Sequence, residues 1–461
     1  MSRASAIAKR RALGCAATLV AWAGVASCAA KQPERLMTVA ASDGRRVSLD
    51  SATISYQEGA VRVIQRVNAS TDVVAVNIYL LGGTRQLAVR TQGVEALWFR
   101  ASQYGTRSYP GGATRRAWSR TGSHLTVEAE ADWTLVGFRG VRQEFDSTWN
   151  ILADRLMHPH LGAEGVTLAR DKMLASLRSR IDHPDGYVSL LADSVGYAGH
   201  PYGLQPEGTE ASLAVLDSAA LARYGREQLV GSRLLVVVVG NVTRAQVAAA
   251  VRRTFAQLPA GTYAWTLPAA PVRTRSTVAF LQRDVATNYI LGSFRGPSAS
   301  SPELPAFRMM TGWLSSRVSQ AVREDRGMSY AAMAMYQDRG QVTGEIYVST
   351  TAPRAVLPLI RAQIDSMQRM MTFGTVDMRP IAEQFILGYY GKNSTSAAQA
   401  DFLGTAQLLR GDYRRATREM DDLRGVSMSM LRVSADKYLR DFQWVYLGDT
   451  TRVSRKVFEE P

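Results

Sequence analysis

Short apolar runs rich in β-branched residues alternate along this chain with longer stretches in which apolar positions recur every three to four residues. That alternation predicts strands and helices in turn. Val61-Arg62-Val63-Ile64 and Val73 to Leu81 read as strands, the second closed by Gly82-Gly83, and Thr134 to Phe138 reads as a third. Val141 to Leu156 and Gly162 to Arg180 carry helical spacing. Arg233 to Val239 is a strongly apolar strand that stops at Gly240-Asn241, and Thr243 to Leu258 predicts a helix after it. From Leu258 to Pro271 the periodicity lapses into Pro, Gly and Ala, as expected of a connection between halves. The order then repeats: strands Thr277 to Leu281 and Thr287 to Phe294, helix Leu304 to Arg323, strands Tyr330 to Tyr336 and Gly344 to Thr350, and long helices. A last strand, Trp444 to Leu447, ends at Gly448-Asp449, echoing Gly240-Asn241. The repetition predicts an α+β protein of two homologous domains, each a mostly antiparallel sheet with helices on one face. The expected spans are 45–262 and 276–455, with a hinge at 263–275.

The first residues depart from this pattern. Arg3, Lys9, Arg10 and Arg11 precede an apolar run from Ala12 to Ala26, which ends in Val25-Ala26-Ser27-Cys28. A basic start, a short apolar run and small residues before a cut describe a secretory signal over 1–28. The Cys directly after small residues resembles a bacterial lipobox, so Cys28 is expected to be lipidated and to open the mature chain. A polar linker, 29–44, follows. Such a chain is attached to a membrane without spanning it, on the periplasmic side of the cell envelope, and Ala29 in place of an Asp favours the outer membrane. Cys15 lies in the segment expected to be removed, so no disulfide or thiolate metal site is available.

Composition narrows the partners. The 461 residues are 46% hydrophobic and 21% charged, a globular balance with ample apolar surface to bury. Formal net charge is +15; loss of 1–28, with four positive and no negative residues, leaves +11. The excess is almost all Arg, and no basic block is interleaved with aromatics, so a nucleic-acid partner is not expected. Anionic lipid headgroups and acidic peptides remain candidates for so basic a surface.

Several segments, taken in order, resemble the zinc peptidase family of insulinase, pitrilysin and the mitochondrial processing peptidase. In the first half they are Leu81-Gly82-Gly83-Thr84-Arg85, Gly93 with Gly105-Thr106 and Tyr109-Pro110 beyond it, His200-Pro201-Tyr202-Gly203, Gly208-Thr209-Glu210, and the strand end Val236 to Val242. In the second they are Gly292 to Pro297, Ser316-Arg317, and Val322 to Tyr330. The resemblance covers nearly all of the chain after the signal segment and implies one half of a clamshell-shaped peptidase.

It also locates the family's chemistry. Active relatives carry His-x-x-Glu-His on a helix just before the Gly-Thr pair: two ligands four apart share one helix face, and the Glu activates the zinc-bound water. Here that register falls on Ala96 to Arg100, with Ala96 and Arg100 at the two His positions and Phe99 at the Glu position. Downstream carboxylate positions, seven apart, hold Ala169 and Ser176. None of these residues can coordinate Zn²⁺, and the other histidines (His124, His158, His160, His183 and His200) rebuild no such motif. No metal and no cofactor are expected in this chain. The resemblance further implies that Arg323 and Tyr330, seven apart, contact substrate: the guanidinium grips carbonyls or a carboxylate, and the phenol stabilises an oxyanion. Gly312, Ser315, Ser316 and Arg317 fall where relatives have a small-residue loop near the substrate.

Two functional readings follow. In the first the chain is the non-catalytic subunit of a periplasmic heterodimeric zinc peptidase, in which a partner of the same family supplies zinc and base. In the second it is a membrane-tethered protein that binds peptides or scaffolds a complex, with no associated hydrolysis.

Overall fold

The computed structural model describes residues 52–369 and 378–459; the signal segment, Cys28 and the 29–44 linker lie outside the described residues. Eleven strands form two sheets. The first contains β1 (Thr53–Glu58), β2 (Val61–Val67), β3 (Val73–Leu81), β4 (His124–Ala129), β5 (Trp133–Val141) and β6 (Leu234–Gly240), in the order β1-β2-β6-β3-β5-β4. The second contains β7 (Thr277–Gln282), β8 (Asn288–Ser298), β9 (Ala331–Gln337), β10 (Gln341–Thr350) and β11 (Gln443–Gly448), in the order β7-β11-β8-β10-β9.

Set side by side, the two orders coincide once β1 is removed. The one parallel pairing of each sheet joins β2 to β6 and β7 to β11, and all the others are antiparallel. Both parallel strands end on a glycine at φ 150°, Gly240 and Gly448. A Cβ on Gly240 would lie 2.8 Å from the Cα of Val74, and one on Gly448 would lie 2.4 Å from Asn288 Oδ1. No other residue fits so close an approach at that backbone angle. The duplication is therefore visible in pairing, direction and strand ends.

The helices follow the same plan. In the first half these are α1 (Val94–Ala101), α2 (Ala113–Arg120), α3 (Phe145–Met157), α4 (Ala163–Asp182), α5 (Pro184–Gly196), α6 (Glu210–Val215), α7 (Ser218–Gln228) and α8 (Arg244–Arg253). In the second they are α9 (Leu304–Ser319), α10 (Pro353–Gln368), α11 (Arg379–Lys392), α12 (Ser396–Arg410), α13 (Arg415–Arg424), α14 (Met428–Tyr438) and α15 (Lys456–Glu459). Two expected helices are shorter than their periodicity suggested. Val141 still pairs with Val73, so α3 starts only at Phe145. The helix expected over 243–258 begins with a capping box of Thr243 and Gln246 but stops at Arg253, before a short 3₁₀ turn.

Each sheet carries its own helices on one face, and the opposite face receives one helix from the other half. The seven residues of β6 are all buried because both sides are covered. Leu234, Val236 and Val238 face the first half's helices, while Leu235, Val237 and Val239 join the core built around α12. In β11, Trp444 and Tyr446 pack against Phe458 of α15 in the second half's own core, whereas Val445 and Leu447 pack with Val188 and Ala192 of α5. Burial of each such side chain stabilises by roughly 1.5–3 kcal/mol, so the exchange of α5 and α12 ties the halves together. The segment 263–275 has neither helix nor strand. Trp265 Nε1 donates to the Leu408 carbonyl at 2.9 Å, and the Arg85 guanidinium lies 5.0 Å from the Trp265 ring.

Candidate functional site

The register expected for the zinc motif falls on α1, and α1 packs against α4. Gly93, at φ 85°, starts α1 against Gly208, where a Cβ would lie 2.7 Å from the facing Cα. Two of the motif segments thus place this helix. Ala96 is 1% exposed, Phe99 2% and Ala169 1%, and all three belong to one apolar cluster with Leu97, Val166 and Met173. Ser176, two turns further along α4, is exposed. Arg100 turns to Glu207, its Nη2 lying 2.8 and 2.7 Å from the two carboxylate oxygens. The zinc of active relatives does not fit here: a methyl, a phenyl ring and a guanidinium already held by a carboxylate offer no lone pair. Among the described residues no group of three or more His, Cys, Asp or Glu converges in a way that could hold a metal ion.

The carboxylate that α1 does carry, Glu95, has a different use. It points to the other side of the helix and is 2% exposed. Arg233 Nη2 donates to it at 3.0 Å, and the hydroxyls of Thr134 and Tyr224 donate to its two oxygens. Arg233 also donates through Nε to the Leu81 carbonyl at 2.8 Å and through Nη1 to Gln228 Oε1 at 3.0 Å. Burial alone would lower the Arg233 pKa, but Tyr224 and Glu95 outweigh it and hold it above the ordinary value. Burial and the neighbouring Glu95 push Tyr224 well up. Glu95 is thus a fixed anion in a closed network with no face toward solvent. Nothing in the linear pattern marks Glu95 or Arg233, since their partners come from five elements.

The histidines are accounted for locally. His200 Nδ1 accepts from the Tyr202 amide at 3.2 Å, and Nε2 lies 2.8 Å from the Ala269 carbonyl. His158-Pro159-His160 follows α3 and bridges the Gly105-Thr106 loop through Pro159 and Thr106.

The second half presents an open arrangement. The C-terminal turn of α9 widens into a π-helical stretch, Gln320–Glu324, a local irregularity often found at functional positions. Gly327, at φ 58°, then reverses the chain. Met328 is held by its amide to the Val322 carbonyl at 3.0 Å and by the Thr350 hydroxyl donating to its own carbonyl at 2.8 Å. This loop delivers Tyr330 to the head of β9 with its ring 86% exposed. The Arg323 guanidinium lies 5.3 Å from that ring's centroid, and Arg323 Nε is 3.3 Å from Glu324 Oε1. The Tyr330 hydroxyl has no hydrogen-bond partner among the described residues. Arg323 and Tyr330 share an open crevice of about 520 Å³ with Ser315, Ser316, Ser319 and Met333. Every lining residue lies between 315 and 333, so the crevice receives nothing from the first half.

One expectation is corrected here. Gly312, Ser315, Ser316 and Arg317 do not form a loop; they lie within α9. Gly312 is needed because Phe385 of α11 packs so close that a Cβ would come within 2.4 Å of the ring. Ser315 Oγ accepts the Ala334 amide at 3.0 Å, and Arg317 donates to Ser366 Oγ at 2.9 Å. These small residues let elements approach; they do not make a mobile loop.

Between the halves lies a larger recess, of about 720 Å³, lined from the first half by Glu128, Glu130 and Asp132 and from the second by Arg308, Asp338 and Asp401, among others. Asp132 fastens its base: both oxygens accept from the Tyr202 hydroxyl at 3.0 Å, Arg85 Nε lies 2.8 Å away, and the Gly340 amide donates at 3.0 Å. Arg308 is ion-paired with Asp338 and Glu419.

Two α+β halves are therefore joined in one chain, and the register expected for zinc ligands is packed with apolar side chains. Residues 216–377 match the Peptidase M16 inactive domain. An uncharacterized zinc protease of Bacillus subtilis is 21% identical over 302 residues, 64% of this chain and 73% of its own length. One from Mycobacterium bovis is 22% identical over 398 residues, 82% of this chain and 88% of its own. A peptidase M16 inactive domain structure from Pseudomonas fluorescens superposes with a TM-score of 0.78 at 16% identity, covering 86% of this chain and 98% of that one. Residues 216–377 are thus similar to the M16 inactive domain, and the described residues share the fold of that solved structure.

Proposed function

We propose that this chain is the non-catalytic subunit of a periplasmic heterodimeric zinc peptidase, contributing Arg323 and Tyr330 to the active site of a zinc-binding partner. The observation that carries the reading is the contrast between an apolar, packed α1 register and an exposed Arg–Tyr pair. Tyr330 exposes most of its ring, hydrogen-bonds to no described residue, and shares its crevice with no first-half group. An aromatic held so openly by a π turn and a left-handed glycine has no folding role to explain it. A partner that offers a peptide carbonyl to this crevice would find a planar donor fork and a neutral hydroxyl side by side.

The chemistry follows from those two groups. Water activation and proton transfer belong to the partner's metal and base. Arg323 would fix the peptide through a carbonyl or carboxylate, and the Tyr330 hydroxyl would donate to the developing oxyanion. Loss of one such donor costs ~10²–10³ in rate.

The decisive experiment measures zinc content and peptide hydrolysis, first for the chain alone and then mixed with a family member that carries an intact His-x-x-Glu-His. The expected result is neither zinc nor cleavage alone, cleavage on mixing, and a fall of at least ~10²-fold in Arg323→Ala with the partner's zinc unchanged. Stoichiometric zinc with EDTA-sensitive cleavage by the lone chain would overturn the proposal.

A second reading, peptide capture without hydrolysis, is favoured by one observation. β9 is an edge strand, with Met333 and Met335 exposed on one face. An extended peptide could add to such an edge. Peptide binding that survives on mixing, with no hydrolysis by any partner, would support this reading over the first.

A further inference from the structure

We propose that the end of the first sheet from which the N-terminal segment departs is a membrane-contact surface that takes anionic phospholipid headgroups. The inference rests on the reading of Cys28 as a lipid anchor, because the anchor determines which end of the domain meets the bilayer.

Strand directions place the relevant residues together. The Val67 amide donates to the Ala52 carbonyl at 3.2 Å, so the described chain begins beside the end of β2. The same end of the sheet holds the start of β3 and the end of β5, paired through Val73 and Val141. It also holds the end of β6 at Gly240, opposite Val67, and the start of β4, where His124 pairs with Arg139. The described chain therefore starts at this end of the sheet.

The surface there is both apolar and basic. Val67, Val73 and Val141 are 45%, 43% and 47% exposed, although valines in the body of the same strands are fully buried. Arg139 and Arg142 flank Val141 and are exposed. Arg120 closes α2 just before the turn into β4, and Arg244 opens α8 just after Gly240. Among the described residues Arg120, Arg139 and Arg244 form no ion pair. Three acids sit nearby: Asp72 faces Arg142 at 4.0 Å, Asp146 pairs with Arg253 at 2.5 Å, and Glu144 is half-buried. The four exposed arginines Arg120, Arg139, Arg142 and Arg244 outnumber these three acids, one of which is already paired with Arg253.

Isolated valines ringed by arginines match the boundary between headgroups and acyl chains, where apolar groups insert shallowly and guanidinium groups meet phosphate. Such a surface beside a covalent anchor supplies a second, reversible attachment. It would hold the domain end-on to the bilayer, with the sheets standing away from it.

The test uses the chain from residue 29 onward, so that neither the apolar signal run nor an acyl group contributes, sedimented with vesicles of phosphatidylcholine alone or mixed with phosphatidylglycerol. The expected result is binding to the anionic vesicles at least ~10-fold above the zwitterionic ones, falling as salt rises. Arg139→Glu with Arg142→Glu should abolish that preference, and Val73→Ser with Val141→Ser should weaken binding but leave it salt-sensitive. All four side chains are exposed, and a thermal melt checks that each variant is folded. Equal sedimentation of the charge-reversed chain, equal binding to both vesicle types, or no binding to either would overturn the proposal. So would displacement by millimolar inorganic phosphate, which would mark a free-anion site. Mass analysis of the wild-type N-terminal peptide separates the two ideas: an unlipidated Cys28 defeats the anchor reading, whereas the vesicle result stands or falls by itself.

Discussion

The duplicated halves use equivalent places in opposite ways. In the first half, the helix that follows the second-lying strand of the antiparallel set, α1, is drawn wholly into the core: Ala96 and Phe99 are packed against α4, and Glu95 is locked to Arg233. In the second half, α9 follows the corresponding strand β8, and its end flares outward to leave Arg323 and Tyr330 exposed. A site relieved of metal chemistry can gain stability by filling with apolar atoms, since every buried group there adds contacts and removes the cost of holding polar ligands dry. A site that must still meet another molecule cannot close in this way. The difference teaches that the first half packs this position as core, while the second half keeps a surface whose form folding does not require.

The comparison can be broken most severely at α1. Phe99→Glu, which restores the family's acid, should destabilise the chain by ~3–5 kcal/mol, because it removes a buried ring and leaves a carboxylate without a partner. Urea denaturation measures this, and a near-neutral result would mean that the zinc position is not core. Glu95→Ala should cost a similar ~3–5 kcal/mol by leaving Arg233 charged, buried and unpaired.

Next in size is a pH effect in the second half. Burial raises the Glu345 carboxyl to about 7, while Gln337 Nε2, donating at 2.8 Å, works against this, with Asp193, Arg339 and Arg273 as the neighbouring charges. The folded state therefore holds the Glu345 proton more tightly than the unfolded chain does. Stability from this group is full below the ordinary carboxylate range and is lost as pH rises toward 7, by on the order of 2 kcal/mol. Glu345→Gln keeps the hydrogen-bond acceptor and should flatten the melting temperature between pH 5 and 7; an unchanged slope would assign the effect elsewhere.

Two smaller effects sharpen the contrast. Arg100→Ala should cost under ~1 kcal/mol, since its ion pair with Glu207 is over a third exposed on both sides. Arg323→Ala should change stability by no more than ~0.5 kcal/mol, as for other exposed surface positions. A loss of several kcal/mol there would make Arg323 a structural residue and weaken its proposed role.

Much of the architecture was legible in the chain itself. Runs such as Leu234 to Val239 and Trp444 to Leu447 declare strands by composition, and the paired strand ends at Gly240 and Gly448 betray the repeat. The residues at the expected register, Ala96, Phe99, Arg100, Ala169 and Ser176, were likewise readable, because motif spacing is a property of the sequence. β1 and β4 were not readable, since both are edge strands with mixed exposure and no clean alternation.

Sequence alone therefore determined the class of fold and the number of halves: each depends on residue type at a fixed local spacing. Only the tertiary structure decided that α5 and α12 are exchanged across the halves and that Asp132 joins Tyr202 to Gly340. It alone showed Glu95 to be locked and Tyr330 open. The reason is physical: burial and hydrogen-bond satisfaction depend on partners more than a hundred residues away, and a local pattern fixes which groups need partners without fixing which ones they receive.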